Sequence, residues 1–145
     1  MQERNYYLGF SLANGIGPKK FDLLLRNFGS AKDAWSASSL ELKRILGEKL
    51  ALKFETFKKD FKIEKYESEL LKKKIVYITL SDKDYPPLLK QIPNPPILLF
   101  VKGNSKILHS VQNDNRMMAI VGTRRITSYG RNVTELFSSS LAQSG

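Results

Sequence analysis

Two short runs in this chain combine residue types that bind anions. The first is Val121-Gly122-Thr123-Arg124-Arg125, which continues to Ser128-Tyr129-Gly130. An apolar run ends in a glycine, and a hydroxyl and two guanidiniums follow just before a helical pattern begins. A helix N-terminus presents unpaired N–H groups and the positive end of a dipole, so it favours an anion. Thr123 adds a hydroxyl, and arginine offers a planar fork that takes phosphate oxygens in pairs. Gly122, Thr123, Arg124, Arg125, Ser128 and Gly130 are therefore the candidate phosphate-binding residues. The spacing is not G-x-G-x-x-G, so no dinucleotide site is indicated. The plainer alternative makes the arginines surface charges and Gly122 an ordinary strand-ending turn. The second run is Gly15-Ile16-Gly17-Pro18-Lys19-Lys20. A G-h-G turn between helices is the helix-hairpin-helix pattern, in which glycines permit the tight turn and leave N–H groups bare at the next helix start. Gly15, Gly17, Lys19 and Lys20 are auxiliary candidates, and a plain helix-joining turn is the competing reading.

Other chemistry is thinly represented. His109 is the sole histidine and cysteine is absent, so neither a histidine cluster nor a thiolate metal site can be built. Asp82, Asp84 and Asp114 fall in loop-like stretches where aspartate serves turns. Glu135 is the one acid close to the Gly122 turn, about a turn and a half into the following helix. No catalytic residue, metal or cofactor is expected.

The elements that must position these runs change character near residue 70. Residues 6–13 form an apolar opening. After the glycine turn, Phe21, Leu24, Leu25 and Phe28 make a helical stripe that Gly29 closes. Ser30-Ala-Lys-Asp33 and Ser38-Ser-Leu-Glu41 read as helix starts of the capping-box kind. Residues 48–73 give a long amphipathic stretch with Leu50, Phe54, Phe57 and Phe61 on one side. Trp35 and these phenylalanines are expected in the core. The period then switches. IVYITL (75–80), ILLFVKG (97–103) and MMAIV (117–121) read as strands. The stretch 81–96 holds five prolines and is expected as a stiff structural loop. A final helix runs from about Ser128 to Gln143, with Tyr129, Val133, Leu136, Phe137 and Leu141 on its apolar face. Strand, glycine turn and helix is the opening of an α/β domain with a parallel sheet. The sequence stops before a strand returns to cover that helix, so only the first part of such a domain is expected.

The bulk numbers set the class. The 145 residues carry 24 Lys and Arg against 14 Asp and Glu, a net charge of +10. The excess is uneven: net +3 over residues 1–69 and +7 over 70–145. A basic domain attracts polyanions, and counterion release from phosphates favours that binding. The opening MQERNYYLGF lacks a signal-peptide pattern, and no apolar run reaches the length of a membrane helix. A soluble, cytoplasmic protein without a membrane partner is expected.

In combination these runs resemble a known family. YPPLLKQIPNPPILLFVKGN followed by MMAIVGTRRITSYG and a helix is similar to the DprA/Smf family of DNA-processing proteins. Its marks there are a YP-x-x-L segment, a D/N-P-P strand ending in K/R-G, and V-G-S/T-R with a nearby Y-G. The stretch GIGPKKFDLLLRNFGSAKDAW is similar to the helical domain that precedes that core. The resemblance implies an α/β chain: a helical SAM-like or helix-hairpin-helix domain over 1–70, then the N-terminal part of a Rossmann-like core over 71–145. It implies single-stranded-DNA binding, protection of incoming DNA in natural transformation (competence), and loading of a RecA-type recombinase. It further implies a homodimer at full length and no enzymatic activity. The family's phosphate-pocket arginine maps onto Arg124, with Gly122 and Thr123 beside it. The sequence departs from the family in lacking the glycine-rich continuation of the core, so a fragment or a truncated product with little activity is one alternative. Others are a nucleotide- or phosphoribosyl-processing Rossmann-like enzyme and a plain helix-hairpin-helix duplex binder.

Overall fold

The structure is a computed structural model and describes residues 2–102, 120–123 and 125–144. The chain divides into two compact units, Met1–Asn113 and Asp114–Gly145. The first opens with six helices: α1 (Glu3–Leu12), α2 (Pro18–Phe28), α3 (Ala31–Ser36), α4 (Ser39–Leu46), α5 (Glu48–Asp60) and α6 (Ile63–Lys72). Strand β1 (Ile75–Thr79), the short helix α7 (Pro87–Lys90) and strand β2 (Leu98–Lys102) follow.

The helices start and stop where local chemistry requires. Ser38 accepts from the Glu41 N–H while the Glu41 carboxylate accepts from the Ser38 N–H, a complete capping box at α4. At α3 the box is half built: the Ser30 hydroxyl accepts from the Asp33 N–H at 3.0 Å, but the Asp33 carboxylate takes the Ser30 hydroxyl instead of its backbone. Glu3 completes this helix start from outside. Its carboxylate accepts from the N–H groups of Ala31 and Lys32, at 2.5 and 3.2 Å. Gly29 ends α2 at φ +83, a conformation that suits glycine. The stretch 48–73 is two helices, not one. Phe61 leaves the helix with extended backbone (φ −78, ψ 117), and its ring lies stacked on Phe57, centroids 4.9 Å apart.

The helical core is aromatic. Phe10, Phe21 and Phe54 are all but fully buried, and Trp35 packs edge-on against Phe10 and Phe54 with centroids 5.2 Å away in each case. Burying a phenylalanine of this kind contributes about 1.5–3 kcal/mol. Helix α1 has a second buried face: Leu8 joins Leu70, Tyr77 and Leu98 in a smaller cluster beneath the strands. The strands are thus seated on α1 and α6.

β1 and β2 form a two-stranded antiparallel sheet, with Tyr77 opposite Phe100 and Thr79 opposite Leu98. The sequence led us to expect a parallel sheet. Between these two strands the reason for the difference is visible: a parallel pair needs a long crossover, usually helical, and the proline-rich connection holds only the four-residue α7. That connection is tied down at Tyr85, which is buried and donates its hydroxyl to the Pro96 carbonyl at 2.9 Å. Asp82 serves a turn, accepting from the Thr79 N–H at 2.8 Å. Residues 117–119 of the third expected strand lie outside the described residues, as does His109. Ile120 and Val121 carry no regular structure and are exposed. In the second unit, helix α8 (Ser128–Ser144) begins where the sequence placed it. Among the described residues no helix is long and apolar enough to cross a membrane.

Candidate nucleic-acid interface

The turn ahead of α8 is organised by its threonines. The Thr123 hydroxyl accepts from the Arg125 N–H at 3.2 Å, a local turn that fixes the backbone after Gly122. Thr127 caps α8: its hydroxyl accepts from the Gly130 N–H at 3.1 Å, and its carbonyl accepts from the Arg131 N–H at 2.9 Å. Sequence reasoning passed over Thr127. The signal was there, a threonine directly before the first helical residue. The cap uses the N–H of Gly130 and leaves those of Ser128 and Tyr129 at the helix start. Gly130 matters for space as well, because a Cβ there would stand 3.2 Å from the Thr127 hydroxyl.

A groove of about 450 Å³ runs along this turn and the first turns of α8. Gly122, Thr123 and Gly130 line it together with Thr127 and Thr134. Its remaining wall is apolar, with Val121, Tyr129 and Phe137 among the lining side chains. Arg125 and Ser128 do not line the groove and are exposed. Arg124, the arginine that the family pattern singles out, lies outside the described residues. Among the described residues nothing lies within 4 Å of a would-be Cβ on Gly122, so a ligand can approach it closely on that side. Among the described residues of this unit the cations Arg125 and Arg131 outnumber the one acid, Glu135, which is exposed on α8. The chemistry on offer is hydrogen bonding and charge toward an anion, with apolar surface beside it.

The second candidate turn joins α1 to α2. Gly15 takes φ +94, Ile16 is buried and anchors the turn in the helical core, and Gly17 begins α2 in extended backbone. No side chain caps this helix and Pro18 occupies its first turn, so the remaining first-turn N–H groups face solvent or an anion. Lys20 bends back to donate to the Gly15 carbonyl at 3.2 Å, and Lys19 is exposed. The structure therefore gathers Gly15, Gly17, Lys19 and Lys20 at one exposed turn.

Polar side chains also meet at a place the sequence did not mark. The Glu67 carboxylate accepts from Asn5 at 2.7 Å and from the Tyr77 hydroxyl at 2.6 Å. Arg4 donates to the Tyr77 carbonyl at 2.9 Å and lies over its ring. Burial and the Glu67 carboxylate, which accepts its hydrogen bond, together push the Tyr77 hydroxyl well above the ordinary tyrosine range. The partners are 10 to 73 residues apart in sequence, and the cluster joins α1, α6 and β1 as a structural tie.

Comparisons with known proteins converge. The family model described as DNA recombination-mediator protein A matches residues 76–145, a span that opens in β1 and takes in the Gly122 turn and α8. Protein Smf of Synechocystis sp. is 31% identical over 145 residues, covering 99% of this chain and 36% of that protein. The DNA processing protein DprA of Bacillus subtilis is 38% identical over 68 residues, covering 47% of this chain and 22% of that protein. The chain thus spans about a third or less of the curated relatives it matches. No solved structure matches it. From the agreement of motif order, family model and relatives, the chain belongs to the DprA/Smf family.

Proposed function

We propose that this chain is the part of a DNA-processing recombination mediator that grips single-stranded DNA by its sugar–phosphate backbone. The observation that carries the reading is the groove shared by the Gly122–Thr123 turn and the first turns of α8, inside the span matched by the family model. Phosphates sit on the first-turn N–H groups of α8 and on the Thr123 hydroxyl. Arg124 and Arg125 supply the guanidiniums, and exposed Tyr129 beside the turn offers a ring on which a base can stack. The Gly15–Lys20 turn adds auxiliary contacts. The role is non-catalytic: the protein coats and protects a strand, as in natural transformation, and hands it to a RecA-type recombinase. It works in the cytoplasm and as a homodimer at full length. Its core, from residue 71, is Rossmann-like and follows the helical domain over 1–70.

The test is a gel shift of the 145-residue chain with oligo-dT and with a duplex of equal length, each at two ionic strengths. Preferential binding of oligo-dT that weakens with salt is expected. Release of free base from nucleoside monophosphates, without oligonucleotide binding, would instead establish the enzymatic alternative.

A further inference from the structure

We propose that a second groove, where the two glycine turns of the helical domain meet, takes the phosphate row of double-stranded DNA. The groove, about 310 Å³, is lined by Lys20 from α2 and by Lys49 and Lys53 from α5, over a floor that includes Leu46 and Leu50. Its shape depends on close approach. Gly15 takes φ +94, a conformation that favours glycine, and a Cβ there would fall 2.8 Å from the Leu50 Cδ1 and push that methyl aside, so the α1–α2 turn lies close against the start of α5. Gly47, at φ +81, makes the opposing turn between α4 and α5. The hydrogen bond from Lys20 to the Gly15 carbonyl sets its ammonium at this junction.

The charges of this groove are unbalanced. Glu48, the one acid among the described lining residues, is held by Lys43 at 3.5 Å. Lys49 and Lys53 are spaced i, i+4 on one helix face, where like charges oppose each other. A polyanion relieves that repulsion. The kind of polyanion follows from what the groove lacks. Among the described residues no aromatic side chain lines it, and the nearby rings of Phe10, Phe21 and Phe54 are buried in the core. Single-strand sites stack bases on aromatics, whereas lysines act as point charges on phosphates and read no base. The rigid phosphate row of a duplex fits such a surface. This deepens the auxiliary-contact part of the reading above by naming its partner and two further residues, and it is independent of the Gly122 turn.

Fluorescence anisotropy of the full chain with a labelled duplex and with oligo-dT, across a salt series, tests it. The groove triple variant, Lys20→Ala, Lys49→Ala and Lys53→Ala, is compared with a charge-matched α6 triple, Lys65→Ala and Lys72→Ala in the helix and Lys62→Ala at its N-cap, and with Lys→Arg replacements in the groove. Circular dichroism checks that each is folded. The groove triple is expected to weaken duplex binding and to flatten its log–log salt slope by about 2.7, at about 0.9 per phosphate contact. The arginine variant keeps binding, the α6 triple leaves the slope nearly unchanged, and both keep their oligo-dT binding. Equal losses from the groove and α6 triples, or duplex binding unchanged by the groove triple, overturn the proposal. Loss of oligo-dT binding by the parent chain counts against the Gly122 reading alone.

Discussion

Replacing Gly9 with alanine sets two known effects against each other. Gly9 lies inside α1 and is buried. In a helix interior alanine is favoured over glycine by about 1 kcal/mol, so propensity alone predicts a gain. Packing predicts the reverse. A Cβ at this position would stand 2.5 and 2.6 Å from the Trp35 ring carbons Cζ3 and Cη2, so the indole must move by roughly 1 Å to regain van der Waals distance. It has little room, since the rings of Tyr6, Phe10, Phe54, Phe57 and Phe61 all lie with centroids within 6.3 Å of it. Lys58 also ties the Trp35 carbonyl at 2.9 Å. Overpacking of a rigid core costs about 1–3 kcal/mol, and a hemmed-in indole argues for the upper half of that range. The net is a loss of about 1–2 kcal/mol, or about 5–10 °C in the melting of the helical unit. Urea and thermal melts followed at 222 nm measure it. In a Trp35→Leu background the clash is gone and Gly9→Ala should be neutral or stabilising by up to about 1 kcal/mol, a coupling that a double-mutant cycle isolates. A rise in stability for Gly9→Ala in the parent chain would refute the reasoning, because it would mean that Trp35 is not held where the structure puts it.

Two further expectations follow from the hydrogen-bonded ties. The folded state raises the Tyr77 hydroxyl above its ordinary value of about 10, so the unfolded chain gives up that proton first as pH rises. Stability from this group is complete below about pH 10 and falls as pH climbs past it; Tyr7 and Tyr85, raised mainly by burial, add to the same loss. Tyr77→Phe should cost about 1 kcal/mol at neutral pH through the lost bond to Glu67, the low end because Glu67 is partly open to water, and should soften the alkaline decline in melting temperature. At the other turn, Thr127→Ala removes the cap of α8 at a cost of about 1 kcal/mol and should lower helicity by circular dichroism, with Thr127→Ser restoring it.

Much of the helical unit was legible because its signals are local. The Phe21–Phe28 stripe, the Gly29 stop, the Ser38 box and the burial of Phe54 all follow from periodicity and capping within a few residues. The break at Phe61 was not legible, since Phe57 and Phe61 continue the helical spacing and only the packing of Phe61 on Phe57 and Trp35 shows the turn. The antiparallel sense of β1 and β2 could have been read from the prolines of the connection, which leave no room for a crossover helix. The Glu67–Tyr77–Arg4 tie had no sequence signal, its members being brought together only by the tertiary fold. At the candidate site the sequence put Gly122 and Thr123 ahead of a helix, and α8 begins at Ser128, while the groove adds an apolar wall that charge and spacing did not foretell. Phe137 and Val121 in that wall are more than half exposed.

The Gly122 turn is the proposed phosphate grip for a single strand. The salt dependence of oligo-dT affinity, measured by anisotropy on the parent chain and on the Arg124→Ala/Arg125→Ala variant, tests it most directly. Each lost contact should flatten the log–log slope by about 0.7, so a fall of about 1.4 with weaker binding is predicted. The same affinity and slope in both proteins would contradict it.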